Sequence, residues 1–202
     1  MIVFPSIIRR GLSAKVKDKG FRVNNVVATA TFNGKFDLDA IARAFPEAEY
    51  RPRVFPGFPF KLKKPKTCTL IFKSGKMVCT GAKSERQVRE AILKVARELR
   101  SAGMVVPRKP EIKVQNVVAS GTLGQAVDIE ELCRRTPIDA KLMYEPEQFP
   151  ALIYRMQEPK VVFLIFSSGR FVCVGAKKEE EISEAVKNLR RTLEETWALT
   201  GS

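Results

Sequence analysis

Histidine is absent from this 202-residue chain. That removes the imidazole general base, the Ser–His and Cys–His nucleophile pairs, and every His-containing metal site. Cysteine is sparse. Cys68, Cys79, Cys133 and Cys173 stand singly with no C-x-x-C spacing, which argues against a zinc site. Scattered thiols without a secretory pattern point to a reducing, cytosolic setting. No apolar run reaches the roughly 18 residues a membrane-spanning helix needs, so no membrane partner is expected. Met1 to Ile8 is apolar, but Arg9 and Arg10 follow it, the reverse of the order in a secretory signal. Residues 1–20 read as a basic, poorly ordered arm.

Acidic residues are scarce in one half only. The chain carries 36 Lys and Arg against 22 Asp and Glu, a net charge of +14. Residues 1–106 hold 22 basic and 8 acidic residues, hence +14; residues 107–202 hold 14 of each, hence zero. A net positive charge favours a polyanionic partner.

The chain is one module written twice. Val23-Asn-Asn-Val-Val-Ala-Thr29 returns as Val114-Gln-Asn-Val-Val-Ala-Ser120, displaced by 91 positions. Lys66–Lys83 returns as Lys160–Lys177, displaced by 94, with 11 of 18 positions identical. The second copy therefore holds about three extra residues, placed near Thr136 to Lys141. A repeat of this length decides the architecture. We divide the chain into the arm, a first repeat over 21–106 and a second over 107–202.

Each copy reads in the same order. A β-branched strand comes first, Val23–Thr31 or Val114–Thr122. A short helix follows, with Asp37 or Asp128 as N-cap and Leu38, Ile41, Ala42 and Phe45, or Ile129, Leu132 and Cys133, turned inward. A Pro/aromatic stretch precedes three or four strands, the clearest being Thr67–Lys73 and Lys76–Thr80 around a turn at Ser74-Gly75. A longer helix closes the copy. Val88, Ala91, Ile92, Val95, Ala96 and Leu99 make its apolar face in the first copy, and Ile182, Ala185, Val186, Leu189 and Leu193 in the second. Ser84 with Gln87 forms a capping box, and Gly103 marks the helix end.

Strand alternation sets Met77 and Cys79 on the helix-covered side, with Cys79 and Cys173 read as small buried apolar residues. The open face then displays Asn25, Val27, Leu70, Phe72, Val78 and Thr80 in the first copy. The second displays Asn116, Val118, Leu164, Phe166, Val172 and Val174. An apolar open face rimmed by Lys and Arg marks a binding surface.

These blocks, with Phe55-Pro-Gly, Tyr144-Glu-Pro-Glu-Gln-Phe-Pro150 and Tyr154-Arg155, resemble the TATA-box-binding protein family in its archaeal form, from about Val23 to Leu193. The resemblance implies an α+β saddle. Two pseudo-symmetric repeats form one curved antiparallel sheet, with four helices on the convex side and DNA beneath. It implies minor-groove contacts by Asn25, Val27, Leu70, Val78, Thr80, Asn116, Val118, Leu164, Val172 and Val174. It makes wedges of Phe55, Phe72, Phe149 and Phe166. Lys61, Ser74, Lys76, Lys83, Arg155, Ser168, Arg170 and Lys177 fall where family members meet phosphate. Glu145, Glu147 and Gln148 match the contact positions for transcription factor B.

The chain departs from the family pattern. Val174 stands where Thr is usual in both copies, which implies weaker A·T discrimination beneath the second. Gln148 replaces a common Leu. Phe58-Pro59-Phe60 replaces a Leu-x-Tyr type of segment, and the proline implies an edge strand. Arg51-Pro-Arg53 precedes Phe55 where Glu145-Pro-Glu147 precedes Phe149, so a near-symmetric saddle acquires a direction.

The implied function is that of a general transcription initiation factor without catalytic activity or cofactor, acting in an archaeal cytoplasm at the nucleoid. Its partners would be promoter DNA, transcription factor B and, indirectly, RNA polymerase, with homodimerisation through the open face when DNA is absent. Two alternatives stay open: a divergent paralogue working through protein or RNA contacts, and an enzyme built on the same fold. The enzyme would need added acidic or Lys-bearing catalytic segments and clustered carboxylates on the open face.

Overall fold

The computed structural model describes residues 20–136, 141–196 and 198–200. The basic arm, save Gly20, and the inserted residues before Lys141 lie outside the described residues.

The first repeat runs β1 (Phe21–Thr31), α1 (Leu38–Ala44), β2 (Phe58–Leu62), β3 (Thr67–Ile71), β4 (Lys76–Ala82) and α2 (Glu85–Ser101). The second runs β5 (Glu111–Thr122), β6 (Ala126–Val127), α3 (Ile129–Arg135), β7 (Lys141–Met143), β8 (Ala151–Met156), β9 (Val161–Phe166), β10 (Arg170–Ala176), α4 (Glu179–Glu195) and β11 (Leu199–Thr200). Three strands follow the Pro/aromatic stretch in each repeat, and in the second an extra strand, β7, precedes it. Nine strands form one antiparallel sheet in the order β2-β3-β4-β1-β5-β10-β9-β8-β7. The order is a near palindrome about the β1–β5 seam, the saddle architecture. β11 pairs with β6 in a separate two-stranded piece.

The helices form where the sequence places them. Asp37 accepts from the amides of Asp39 and Ala40, and Asp128 from that of Glu131, so both short helices are capped. In α2 the Ser84 hydroxyl accepts from the Gln87 amide at 3.1 Å. The Gln87 side chain reaches back to the Lys83 amide at 2.6 Å, one residue before the cap. Glu181 does the same for Lys177 at 2.8 Å, but Lys178 makes no side-chain cap bond. The end of α2 closes as expected at Gly103, whose amide donates to Arg100 while Met104 donates to Leu99. All six apolar positions read for α2 and all five for α4 are buried.

Those faces cover one side of the sheet, against Val26, Ala28 and Ala30 of β1, Met77 and Cys79 of β4, and Phe171 and Cys173 of β10. Burial raises the Cys79 thiol pKa and pushes that of Cys173 up to about 12, so both stay neutral and act as packing groups. Pro59 lies on β2, the outermost strand, where a proline is tolerated because one side of the backbone faces no partner.

Each β3–β4-type turn is laced to the segment after the first strand of its repeat. Phe32 donates to Gly75 at 2.9 Å and Phe36 to Lys73 at 3.2 Å; Leu123 donates to Gly169 and Val127 to Ser167, both at 2.8 Å. Among the described residues no helix is long and apolar enough to cross a membrane.

Candidate nucleic-acid interface

The side of the sheet away from the helices is built outward from the seam. Asn25 of β1 pairs with Val118 of β5, and Val27 with Asn116. Each repeat's asparagine thus stands opposite the other's valine, and the four residues surround the pseudo-twofold axis. Next outward come Val78, paired with Thr29 and Leu70, and Val172, paired with Ser120 and Leu164. Thr80 pairs with Cys68, and Val174 with Val118 and Val162. Asn25, Val27, Leu70, Val78, Thr80, Asn116, Val118, Val172 and Val174 are all half-buried, and among the described residues no further layer covers them.

Leu164 departs from the expectation of a displayed residue. It is only 9% exposed, yet it lies outside the core beneath the helices. Its neighbours on the same face, Ile153 and Val172, flank it across both ladders, so it forms a recessed floor rather than a ridge.

The asparagines are oriented by backbone donors. The Gly81 amide donates to Asn25 Oδ1 at 2.7 Å, and the Gly175 amide to Asn116 Oδ1 at 2.8 Å. Each carbonyl oxygen is therefore committed to the sheet, and each Nδ2 carries its protons elsewhere. In the first repeat Nδ2 lies 3.2 Å from Thr80 Oγ1. Val174 offers the second repeat no such hydroxyl.

Aromatic pairs stand near the two ends of the face. Phe55 and Phe72 meet edge to face with ring centroids 6.0 Å apart, and Phe149 and Phe166 with centroids 6.3 Å apart. The outer ring of each pair is placed by a tight loop. The amides of Val54 and Phe55 both donate to the Arg51 carbonyl, and those of Gln148 and Phe149 to that of Glu145. Phe55 is 44% exposed and Val54 82%, a high exposure for large apolar side chains. Glu145, Glu147 and Gln148 are exposed on their loop, as are Arg51 and Arg53 on theirs.

Lys61, Ser74, Lys76, Lys83, Arg155, Ser168, Arg170 and Lys177 are all exposed. Lys83 is not wholly free, since its Nζ donates to the Asn24 carbonyl at 2.5 Å.

The reading of the sequence missed several residues on this face. Asn24 donates to Ser120 Oγ at 2.6 Å, and Gln115 to Thr29 Oγ1 at 2.8 Å, two pseudo-symmetric bonds that stitch the seam. Cys68 and Val162 flank Thr80 and Val174. Alternation carried one step further, from Val27 to Thr29, Val118 to Ser120, Leu70 back to Cys68 and Leu164 back to Val162, would have found four of them; Asn24 and Gln115 sit at register shifts of the β1–β5 ladder, where alternation fails.

The chain matches known proteins along most of its length. The family profile described as "Transcription factor TFIID (or TATA-binding protein, TBP)" matches twice, over residues 20–102 and 111–196. A TATA-box-binding protein of Pyrobaculum calidifontis is 45% identical over 183 residues, covering 91% of this chain and 90% of that protein. One from Sulfurisphaera tokodaii is 48% identical over 167 residues, 83% of each. The solved structure of Methanococcus jannaschii TBP superposes with a TM-score of 0.79 at 42% identity, covering 87% of this chain and 98% of that one. The doubled repeat, the palindromic sheet, the open apolar face and these likenesses agree: the chain belongs to the TATA-box-binding protein family, whose members bind DNA and are not enzymes.

Proposed function

We propose that this protein is a general transcription initiation factor that binds A·T-rich TATA-box DNA through the minor groove. The observation that carries this is the open face itself: one half-buried apolar strip with an edge-to-face phenylalanine pair near each end. An A·T pair offers only acceptors in the minor groove, whereas G·C adds a protruding amino group. Val27, Val78, Val118 and Val172 make a smooth surface that packs on the former and collides with the latter. The two Nδ2 groups, freed of competition by the Gly81 and Gly175 amides, donate to acceptors at the centre of the site.

Phe55 with Phe72, and Phe149 with Phe166, act as wedges at the outer base steps. Wedging unstacks a step at a cost of a few kcal/mol, offset by the surface the bent duplex then buries. Minor-groove kinking of this kind is the family's known behaviour. The exposed Lys, Arg and Ser residues around the face hold phosphates, which makes binding salt-dependent. Residues 21–106 and 107–202 each supply one half of this surface. The exposed Glu145-Pro-Glu147-Gln148 loop recruits transcription factor B and, through it, RNA polymerase. Without DNA, the apolar face is available to a second copy.

The test is binding to A·T-rich and G·C-rich duplexes across a salt series, with end-labelled DNA reporting the bend. We expect A·T preference, a steep salt dependence, and a bend that falls when Phe72→Ala and Phe166→Ala are combined. Equal binding to both duplexes, or tighter binding to single-stranded RNA, would overturn the reading.

A further inference from the structure

The two asparagines are held alike, but their surroundings differ. In the first repeat, Gly81 N–H, Asn25 and Thr80 form a closed polar cluster. Thr80 Oγ1 lies 3.2 Å from Asn25 Nδ2 and 3.3 Å from Oδ1, and Oδ1 already accepts from Gly81. The Thr80 hydroxyl donates to the spare lone pair of Oδ1 or, rotated while Nδ2 donates to Oγ1, turns its proton off the sheet towards an acceptor above it. Cys68 stands beside it across the ladder. In the second repeat the same position holds Val174, and the cross-strand neighbour is Val162. There only the Asn116 amide is polar, oriented by Gly175. The two quadrants share a backbone and nearly a shape, because Val and Thr differ by a methyl in place of a hydroxyl.

We infer that the open face reads the two halves of its DNA site unequally, holding the half beneath Asn25 and Thr80 to A·T pairs more strictly than the half beneath Asn116 and Val174. This rests on the proposed minor-groove function. The steric penalty that Thr80 and Val174 themselves set against a guanine amino group is the same, since the two side chains are isosteric. The hydrogen-bond term is not. Beneath Thr80 an A·T acceptor gains a donor, and a G·C pair puts its amino group in the way. Beneath Val174 an A·T acceptor meets methyl groups and is left unsatisfied, so A·T loses part of its advantage. One net hydrogen bond corresponds to about a three- to tenfold difference in affinity. A site with one G·C pair off centre is therefore bound preferentially one way round, with that pair beneath the second repeat. The sheet itself then contributes direction before any protein partner arrives.

A self-complementary A·T duplex makes the test independent of knowing the orientation. One G·C pair placed in either half lets the protein turn so that the pair lies beneath Val174. A second G·C pair at the mirror position removes that escape. For the full chain we expect the second pair to weaken binding about three- to tenfold more than the first. Val174→Thr should raise the first penalty to match the second, and Thr80→Val should lower the second to match the first. Thermal unfolding of each variant verifies that it is folded. If Thr80→Val does not fold, Val174→Thr decides alone. Equal penalties in the unaltered protein, with both well above one, overturn this inference and leave the minor-groove reading standing. So does an unchanged ratio in Val174→Thr. Penalties near one for both pairs overturn the minor-groove reading itself.

Discussion

In the first repeat the loop before the outer phenylalanine reads Arg51-Pro52-Arg53-Val54; in the second it reads Glu145-Pro146-Glu147-Gln148. Both loops nevertheless close with the same two bonds, from the amides of the fourth residue and of the phenylalanine after it to the first residue's carbonyl, at 2.9 to 3.0 Å. The backbone is set by proline and by the need to seat a phenylalanine ring. The exposed side chains take no part in it and are free to reverse sign. The same contrast holds over the helices. The first turn of α4 carries Glu179, Glu180 and Glu181, whereas that of α2 carries only Glu85. In these loops and helix starts the shared backbone bonds hold the fold, while the differing side chains are largely exposed, so this difference costs the fold little and is available for function.

Breaking the shared part should have the largest effect. A Cβ at Gly75 would lie 2.0 Å from the Gly34 carbonyl oxygen, and one at Gly169 would lie 1.7 Å from that of Gln125, both at positive φ. Gly75→Ala and Gly169→Ala should each cost on the order of 3 kcal/mol or more in urea unfolding. Equal losses would confirm that the turns do the same job in both repeats.

Exchanging the exposed part should leave stability alone and abolish one interaction. Glu145→Arg with Glu147→Arg is expected to eliminate the ternary complex with transcription factor B in gel shifts while DNA binding persists. Arg51→Glu with Arg53→Glu should leave the ternary complex in place. Loss of the complex in both pairs would mean that the loops do not differ in function.

The buried thiols provide a third comparison. Burial raises the Cys173 pKa from 9.0 to about 12. A folded pKa above the unfolded one gives stability that is complete below about pH 9 and is lost as the pH climbs towards 12. Relative to Cys173→Val, the unaltered protein should lose up to about 1.4 kcal/mol per pH unit in that window. Parallel stability curves for the two would count against it. Cys79 is shifted the same way by burial, and the nearby Thr69 and Thr67 hydroxyls partly oppose the shift.

The smallest effects concern the long helices. Ser84→Ala removes a cap and should cost about 1 kcal/mol. Lys178→Ser supplies the missing one and should stabilise by about 0.5 kcal/mol in the same urea assay.

Much of the fold was legible because its signals are local. Six apolar positions at helical spacing set the buried face of α2, and Asp37, Ser84 and Asp128 announce helix starts through bonds that span two or three residues. The inward side of β4 follows from alternation. Alternation was less reliable for β9, where Leu164 is recessed by neighbours on β8 and β10 that lie far away in sequence. The candidate site was legible in outline because the same residues occur twice at matched positions. Its polar connections were not. Nothing near Asn25 in sequence announces that Gly81 will take its oxygen, or that Thr80 will lie beside it.

The sequence by itself determined the duplication, the helix faces and caps, the uneven charge and the residues that break the symmetry, since each is a property of a short segment or of composition. Only the tertiary structure decided the seam. Pairing β1 with β5 sets Asn25 against Val118 and Val27 against Asn116, while the packing within each repeat brings Phe55 to Phe72 and Phe149 to Phe166. The same packing leaves β2 with its Pro59 at one edge, whereas β8, with Ile153 in the matching place, gains β7 as a further strand. Which strands meet is a question of long-range packing. A strand's own pattern says which face is apolar, but any partner of the right length and polarity satisfies its backbone bonds, so the choice is made only when the whole sheet closes under its helices.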